Sequence, residues 1–198
     1  MSKVGSVFGV STEVVAWDAV GADVELSCAA MFSREAGGAE VIGGLAHLNA
    51  AFHGQLLELR SEGAFTAAAG ECLLIPTPPR GINAKKLLIV GLGEPDGWSV
   101  ENLSQAIRSA AEFAMALGVR SAAFAPGMLD SGIAPSTTAG ASTFMVDGLT
   151  AALRARARLV DLGFAEKPLL ERWVFDVGAA RLASATAQFQ ERIQQQTA

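Results

Sequence analysis

The stretch KKLLIVGLGEPDGWSVENL, Lys85 to Leu103, decides how this chain folds. Lys86 to Val90 is apolar almost throughout, the pattern of a strand buried on both faces. A glycine-rich turn follows. Apolar residues then return at helical spacing, at Val100, Leu103, Ile107, Ala110, Ala114 and Leu117. Ser99 is a candidate N-cap, Glu101 suits the positive end of a helix, and Gly118 is a candidate C-cap. Strand, turn and helix in that order form the repeating unit of an α/β domain.

The turn itself, GLGEPDG, invites comparison with a dinucleotide-binding fingerprint, which needs G-x-G-x-x-G. Gly91 and Gly93 match. Asp96 stands where the third glycine belongs, and Gly97 comes one residue late. Glu94 and Asp96 would also set two carboxylates where a pyrophosphate should lie, and like charges repel. The residues therefore read as a structural strand-to-helix turn.

Working outward, the first third of the chain reads as strands at Val4 to Val10, Glu13 to Trp17 and Asp23 to Ala30. In the third of these, Val24, Leu26 and Cys28 alternate with Glu25 and Ser27, which predicts two different faces. A helix is expected from Ile42, carrying Leu45, Leu48, Phe52, Leu56 and Leu59, and stopping near Gly63. Residues 71–76 form a short apolar run closed by a proline, and Ser121 to Pro126 reads as another buried strand. Pro135 suits the first position of a helix running to about Leu159. Glu171 to Val177 reads as a last strand. Leu182, Phe189 and Ile193 mark a final helix that frays into QQQTA. The expectation is one domain over residues 1–198, an α/β fold with a mixed sheet between helices.

The totals agree with this. The chain has 198 residues and is 51% hydrophobic, enough to bury a core without crosslinks. A net charge of −5 and a pI near 5.1 lack the electrostatic footprint of a nucleic-acid binder, so no nucleic-acid partner is expected. Cys28 and Cys72 lie in apolar runs and read as free thiols, which favours a reducing compartment. The N-terminus lacks the charged and apolar regions of a secretory signal, and no run is long enough to span a membrane. A cytoplasmic location is the expectation.

No catalytic or metal-binding pattern is legible. His47 and His53 are the only histidines, and a spacing of six turns them to different sides of a helix. Both read as helix-surface residues. No H-E-x-x-H occurs, so neither catalytic residues, metal ligands nor a cofactor are assigned. Arg154 and Arg158 share a helix face that Arg156 does not, and a helix C-terminus favours such cations. The remaining candidates are loop glycines at which backbone can approach a ligand: Gly37, Gly38, Gly43 and Gly44 in loop 34–44. Ser131 and Gly132, in the turn Asp130-Ser131-Gly132 of loop 126–140, join them as candidate phosphate-binding positions.

One resemblance is more specific. GGLAHLNAAFHGQLLELRSEGAF is followed by AAAGECLLIPTPPRGINAKKLLIVGLGEPDGWSVENLSQAIRSAAEFAMALGVRSAAF. The order resembles the N-terminal domain of the leucyl aminopeptidase family, the M17 peptidases. It includes a glycine pair, a helix, a strand ending in proline, the KKLLIVGLG strand and an alanine-rich helix. The likeness covers residues 40–126 best. It implies a three-layer macro-domain-like fold. It also implies that the metal ions and catalytic residues of that family belong to a separate C-terminal domain, whose NTDAEGR signature these 198 residues lack. The expected role is therefore a stand-alone, non-catalytic module of oligomerisation, interaction or regulation. Its expected partners are copies of itself or a full-length aminopeptidase. The alternative implied by a macro-like fold is a small-molecule binder, of ADP-ribose or a nucleotide, using loops 34–44 and 126–140.

Overall fold

The computed structural model describes residues 2–197. Seven strands form one mixed sheet: β1 (Ser2–Val7), β2 (Val10–Val15), β3 (Leu26–Met31), β4 (Cys72–Ile75), β5 (Lys86–Gly91), β6 (Ser121–Ala125) and β7 (Arg172–Asp176). The spatial order is β1-β2-β7-β6-β3-β5-β4. The five inner strands, β2, β7, β6, β3 and β5, run parallel, and the two edge strands are antiparallel to their neighbours. The helices are α1 (Gly43–Ala51), α2 (Gln55–Ser61), α3 (Asn102–Ala116), α4 (Ala141–Asp161) and α5 (Leu182–Thr197).

Alternation along the strands divides the interior in two. Leu88 and Val90 of β5, Phe124 of β6, and Trp173 and Phe175 of β7 face one way, into a core with α3, α4 and α5. Leu87, Ile89, Ala123 and Val174 face the other way, against α1 and α2. This is the three-layer mixed-sheet arrangement expected from the sequence. Parallel strands covered on both faces explain why β5 reads as a continuous apolar run. The same covering buries Ser27 on β3, where alternation alone suggested a polar face. Its hydroxyl donates to the Ala19 carbonyl at 2.8 Å. Val24 packs opposite to Leu26 and Cys28 rather than beside them.

Other departures have local causes. The helix expected from Ile42 to Gly63 is two helices, broken at His53 and Gly54, whose φ angles are 54° and 89°. His53 thus sits in a left-handed link rather than on a helix face. Ser99 does not cap α3 with its side chain. Instead Asn102 reaches back, and its Oδ1 accepts the Ser99 amide at 2.9 Å. Gly118, at φ 64°, does follow the end of α3 in the left-handed conformation. Pro135 opens a separate 3-10 turn, Pro135–Thr138. Gly140 at φ 78° then resets the chain before α4. The final helix does not fray at Gln194 but runs to Thr197. Cys28 is fully buried, while Cys72 is half-buried.

The glycine-rich turn after β5 is a packing device. A Cβ on Gly91 would stand 2.1 Å from the Ala68 carbonyl oxygen. The Gly93 amide donates to the Ala67 carbonyl at 2.9 Å, and the Gly70 amide to the Gly91 carbonyl at 3.1 Å. The missing side chains admit another stretch of this same chain. Glu94 and Asp96 both pair with Arg34, from the loop after β3, and the Ser33 hydroxyl donates to Glu94 at 2.6 Å. No helix among the described residues is long and apolar enough to cross a membrane.

Candidate functional site

In an open parallel sheet, side chains and loops converge at the carboxyl ends of the strands, where neighbouring crossovers leave the sheet in different directions. Here β2, β7, β6 and β3 end at a crevice of about 460 Å³. Its apolar surface includes Trp17, Leu45, Leu48, Met128 and Met145. Those residues come from the end of β2, from α1, from the loop after β6 and from α4. The volume and the apolar lining are those of a small-molecule pocket.

Three carboxylates reach this crevice from three strand ends: Asp18 after β2, Asp130 after β6 and Asp176 as the last residue of β7. Asp18 is held hardest. Its Oδ2 lies 2.6 Å from His47 Nδ1, and its Oδ1 accepts the amides of Val20 and Gly21 at 3.0 and 2.7 Å. Burial alone would raise its pKa, but the His47 hydrogen bond and the amides together leave it below the usual aspartate value. Asp130 moves the other way. Burial raises it first, the Asp18 charge adds to that, and the amides of Leu45 and Gly44 only partly compensate. Asp176 is shifted most. Burial pushes it up to about 7, the charges of Asp18 and Asp130 add to this, and the Gly178 amide works against it. The facing cation is Arg181, before α5, whose Nη1 donates to Thr138 Oγ1 at 2.8 Å.

Asp130 also joins the two loops nominated from the sequence. Its carbonyl accepts the Ile42 amide at 3.0 Å, and its Oδ2 accepts the Leu45 amide at 3.1 Å. A Cβ on Gly43 would lie 2.4 Å from Asp130 Oδ1, so glycine alone lets the carboxylate settle over the start of α1. Gly44 lines the crevice, and Gly43 lies directly beneath Asp130. Gly37 and Gly38 lie apart, in an exposed 3-10 turn outside the crevice lining. Ser131 is fully buried, and its hydroxyl has no partner among the described residues. Gly132, at φ 82°, turns the chain toward Ala36 and does not line the crevice either.

Sequence reasoning missed Asp18, Asp176 and Arg181. A usable signal existed for the first two, since each is an acidic residue placed at the carboxyl end of an apolar strand. Among the described residues, no group of three or more His, Cys, Asp or Glu side chains could hold a metal ion. Loop 34–44 is anchored from behind by Arg60, which pairs with Glu35 through two contacts of 2.9 Å and also donates to the Phe32 carbonyl.

Known structures share this architecture. A tomato leucine aminopeptidase mutant superposes with a TM-score of 0.63 at 15% identity, over 94% of this chain and 37% of that one. The Trypanosoma brucei macrodomain in complex with ADP-ribose gives 0.61 at 18% identity, over 98% of this chain and 74% of that one. The Oceanobacillus iheyensis macrodomain with ADP gives 0.61 at 12% identity, over 96% and 93%. At these identities the likeness establishes the fold, a macrodomain-type α/β sandwich. The chain spans little more than a third of the tomato enzyme's length. Comparison with curated proteins gives no match. The family model described as the cytosol aminopeptidase family, N-terminal domain, matches residues 32–153, from the end of β3 into α4. That match takes in more than half of the sequence, and the chain belongs to the N-terminal domain family of the cytosol aminopeptidases.

Proposed function

We propose that this domain binds a small molecule in the crevice where β2, β7, β6 and β3 end, and that it carries no peptidase chemistry of its own. The observation that carries the reading is the crevice itself. It has ligand-sized volume, an apolar floor and a few convergent polar groups, including a carboxyl held near neutrality. Two macrodomains of the same fold were solved with ADP-ribose and with ADP, which puts nucleotides on the first panel of ligands to test.

The test is a metabolite screen by thermal shift, followed by amide chemical shifts of the crevice residues. A ligand at 100 times its Kd should stabilise the fold by about 2.7 kcal/mol. A hit that moves Leu45, Met128 and Val177 supports the reading. A broad panel that moves none of them overturns it. The non-catalytic half is tested separately with a leucyl anilide and added Zn²⁺ or Mn²⁺. No turnover is expected, and hydrolysis abolished by a chelator would refute it.

A second reading, assembly with copies of itself or with a full-length aminopeptidase, is favoured by a different observation. Leu159, Leu162, Phe164 and Leu169 are exposed where α4 ends and the chain returns to β7, and Phe8 is exposed in the turn between β1 and β2. The β2–β7 register puts that turn beside the start of β7. These apolar side chains therefore share the end of the sheet opposite the crevice.

A further inference from the structure

We propose that Asp130 serves as the crevice's own resident anion, filling the phosphate-like position at the start of α1, so that the site excludes phosphorylated ligands. This rests on the crevice being a ligand site. It bears on which ligands that site accepts.

The start of a helix offers unpaired amides and the positive end of its dipole, the two features that attract a phosphate. At the start of α1, Gly44 and Leu45 line the crevice. They are already engaged. Asp130 Oδ2 accepts the Leu45 amide at 3.1 Å and lies 3.3 Å from where a Cβ on Gly44 would stand. The fit is close, since any side chain on Gly43 would collide with the Asp130 carboxylate. The main chain fixes the arrangement from the other side, where the Ile42 amide donates to the Asp130 carbonyl at 3.0 Å. Asp130 is thereby clamped through both its backbone and its side chain to the segment it caps.

The surroundings add a second barrier. An entering phosphate would meet Asp18 as well as Asp130, and above about pH 7 the ionised Asp176 too. Arg181, the arginine of the crevice lining among the described residues, is already bonded to Thr138. Like charges cost more in a half-enclosed crevice than in open water. The ligands that suit the site are uncharged or cationic, with an apolar body for the floor of Leu45, Leu48 and Met145.

The experiment compares the native domain with Asp130→Ala and Asp130→Asn, using inorganic phosphate and ADP-ribose as probes. Binding is read by calorimetry and by the amide shifts of Gly44 and Leu45. The native domain should bind neither probe at millimolar concentration. Asp130→Ala empties the position and should gain at least about tenfold in affinity for both, equivalent to about 1.4 kcal/mol. Asp130→Asn keeps an acceptor over the amides while losing the charge, and should gain clearly less than Asp130→Ala. Micromolar binding of ADP-ribose by the native domain overturns the proposal, and it does so even if the variants fail to fold. An Asp130→Ala domain that folds without gaining affinity also overturns it, as does an Asp130→Asn domain that gains as much as Asp130→Ala. If native ADP-ribose binding maps to the crevice, the site reading stands and the exclusion fails. If Asp130→Ala gains phosphate while the metabolite screen finds no ligand, the exclusion stands and the site reading fails.

Discussion

At the scale of single residues, charge in the crevice should make stability depend on pH in a definite sense. An unfolded Asp176 titrates near its ordinary 3.8, and the folded one at about 7. Between these values the folded state holds the extra proton. The Asp176 contribution therefore favours folding most below the unfolded value and is lost as pH rises toward about 7. Asp18 acts in the opposite direction. Its lowered pKa adds stability above the unfolded value, which is lost as pH falls through the folded one. Asp176→Asn keeps an acceptor for the Gly178 amide but removes the buried charge. It should raise stability at pH 8 by roughly 2 kcal/mol and change it little at pH 4.5. Urea midpoints at the two pH values check this, and a destabilised variant at pH 8 would contradict it. Gly91 makes a steric prediction. An added methyl would meet the Ala68 backbone, which has no flexible end to move aside. Gly91→Ala should cost about 3 kcal/mol by chemical denaturation.

At the scale of elements, the break between α1 and α2 is the place where helical periodicity misleads. Leu45, Leu48, Phe52 and Leu56 keep helical spacing across the break and pack into one cluster, so the sequence pattern shows no interruption. Only the backbone reveals it, in the positive φ angles of His53 and Gly54. Glycine tolerates that conformation, whereas a side chain there is strained. Gly54→Ala should therefore destabilise by about 1 kcal/mol, and His53→Gly should be neutral or stabilising by a few tenths. Thermal melts of the two variants check the pair. If Gly54→Ala melts higher, α1 and α2 merge into one helix and the break is not fixed by the fold. The α3 to α4 packing has a similar dependence on a missing side chain. A Cβ on Gly148 would lie 2.3 Å from the Ser104 carbonyl oxygen, so the two helices approach through that gap.

At the scale of the whole molecule, the two ends of the sheet differ. One carries the acidic crevice. The other exposes Phe8, Leu159, Leu162, Phe164 and Leu169, with Phe164 at 77% of its full exposure. Apolar side chains gathered at one end favour association over isolation in water. Light scattering of the purified domain should show concentration-dependent self-association, and the double change Phe164→Ser with Leu162→Ser should abolish it while leaving the melting curve unmoved. A native domain that stays monomeric at high concentration would instead point to a different partner at this end. Ligand binding in the crevice should survive the double change, since the two regions lie at opposite ends of the strands.

The sequence by itself determined the α/β class, the family likeness, the structural nature of the GLGEPDG turn and the strands β4 to β7. Those are local properties: a buried parallel strand must be apolar, and a helix must repeat its apolar face. It also singled out Gly43 and Gly44 as loop glycines, which the fold sets against Asp130. It did not reveal the β1–β2 hairpin, whose turn at Phe8 and Gly9 falls inside the strand expected over Val4 to Val10. The tertiary structure alone decided that Asp18, Asp130 and Asp176 meet, because they lie far apart in the chain and sheet order brings their strand ends together. It likewise decided what the glycines are for. Gly91 and Gly93 receive the backbone of residues 67–70, and Gly43 makes room for the carboxylate of Asp130. A sequence shows where a side chain is missing. Only the packed chain shows what occupies the space.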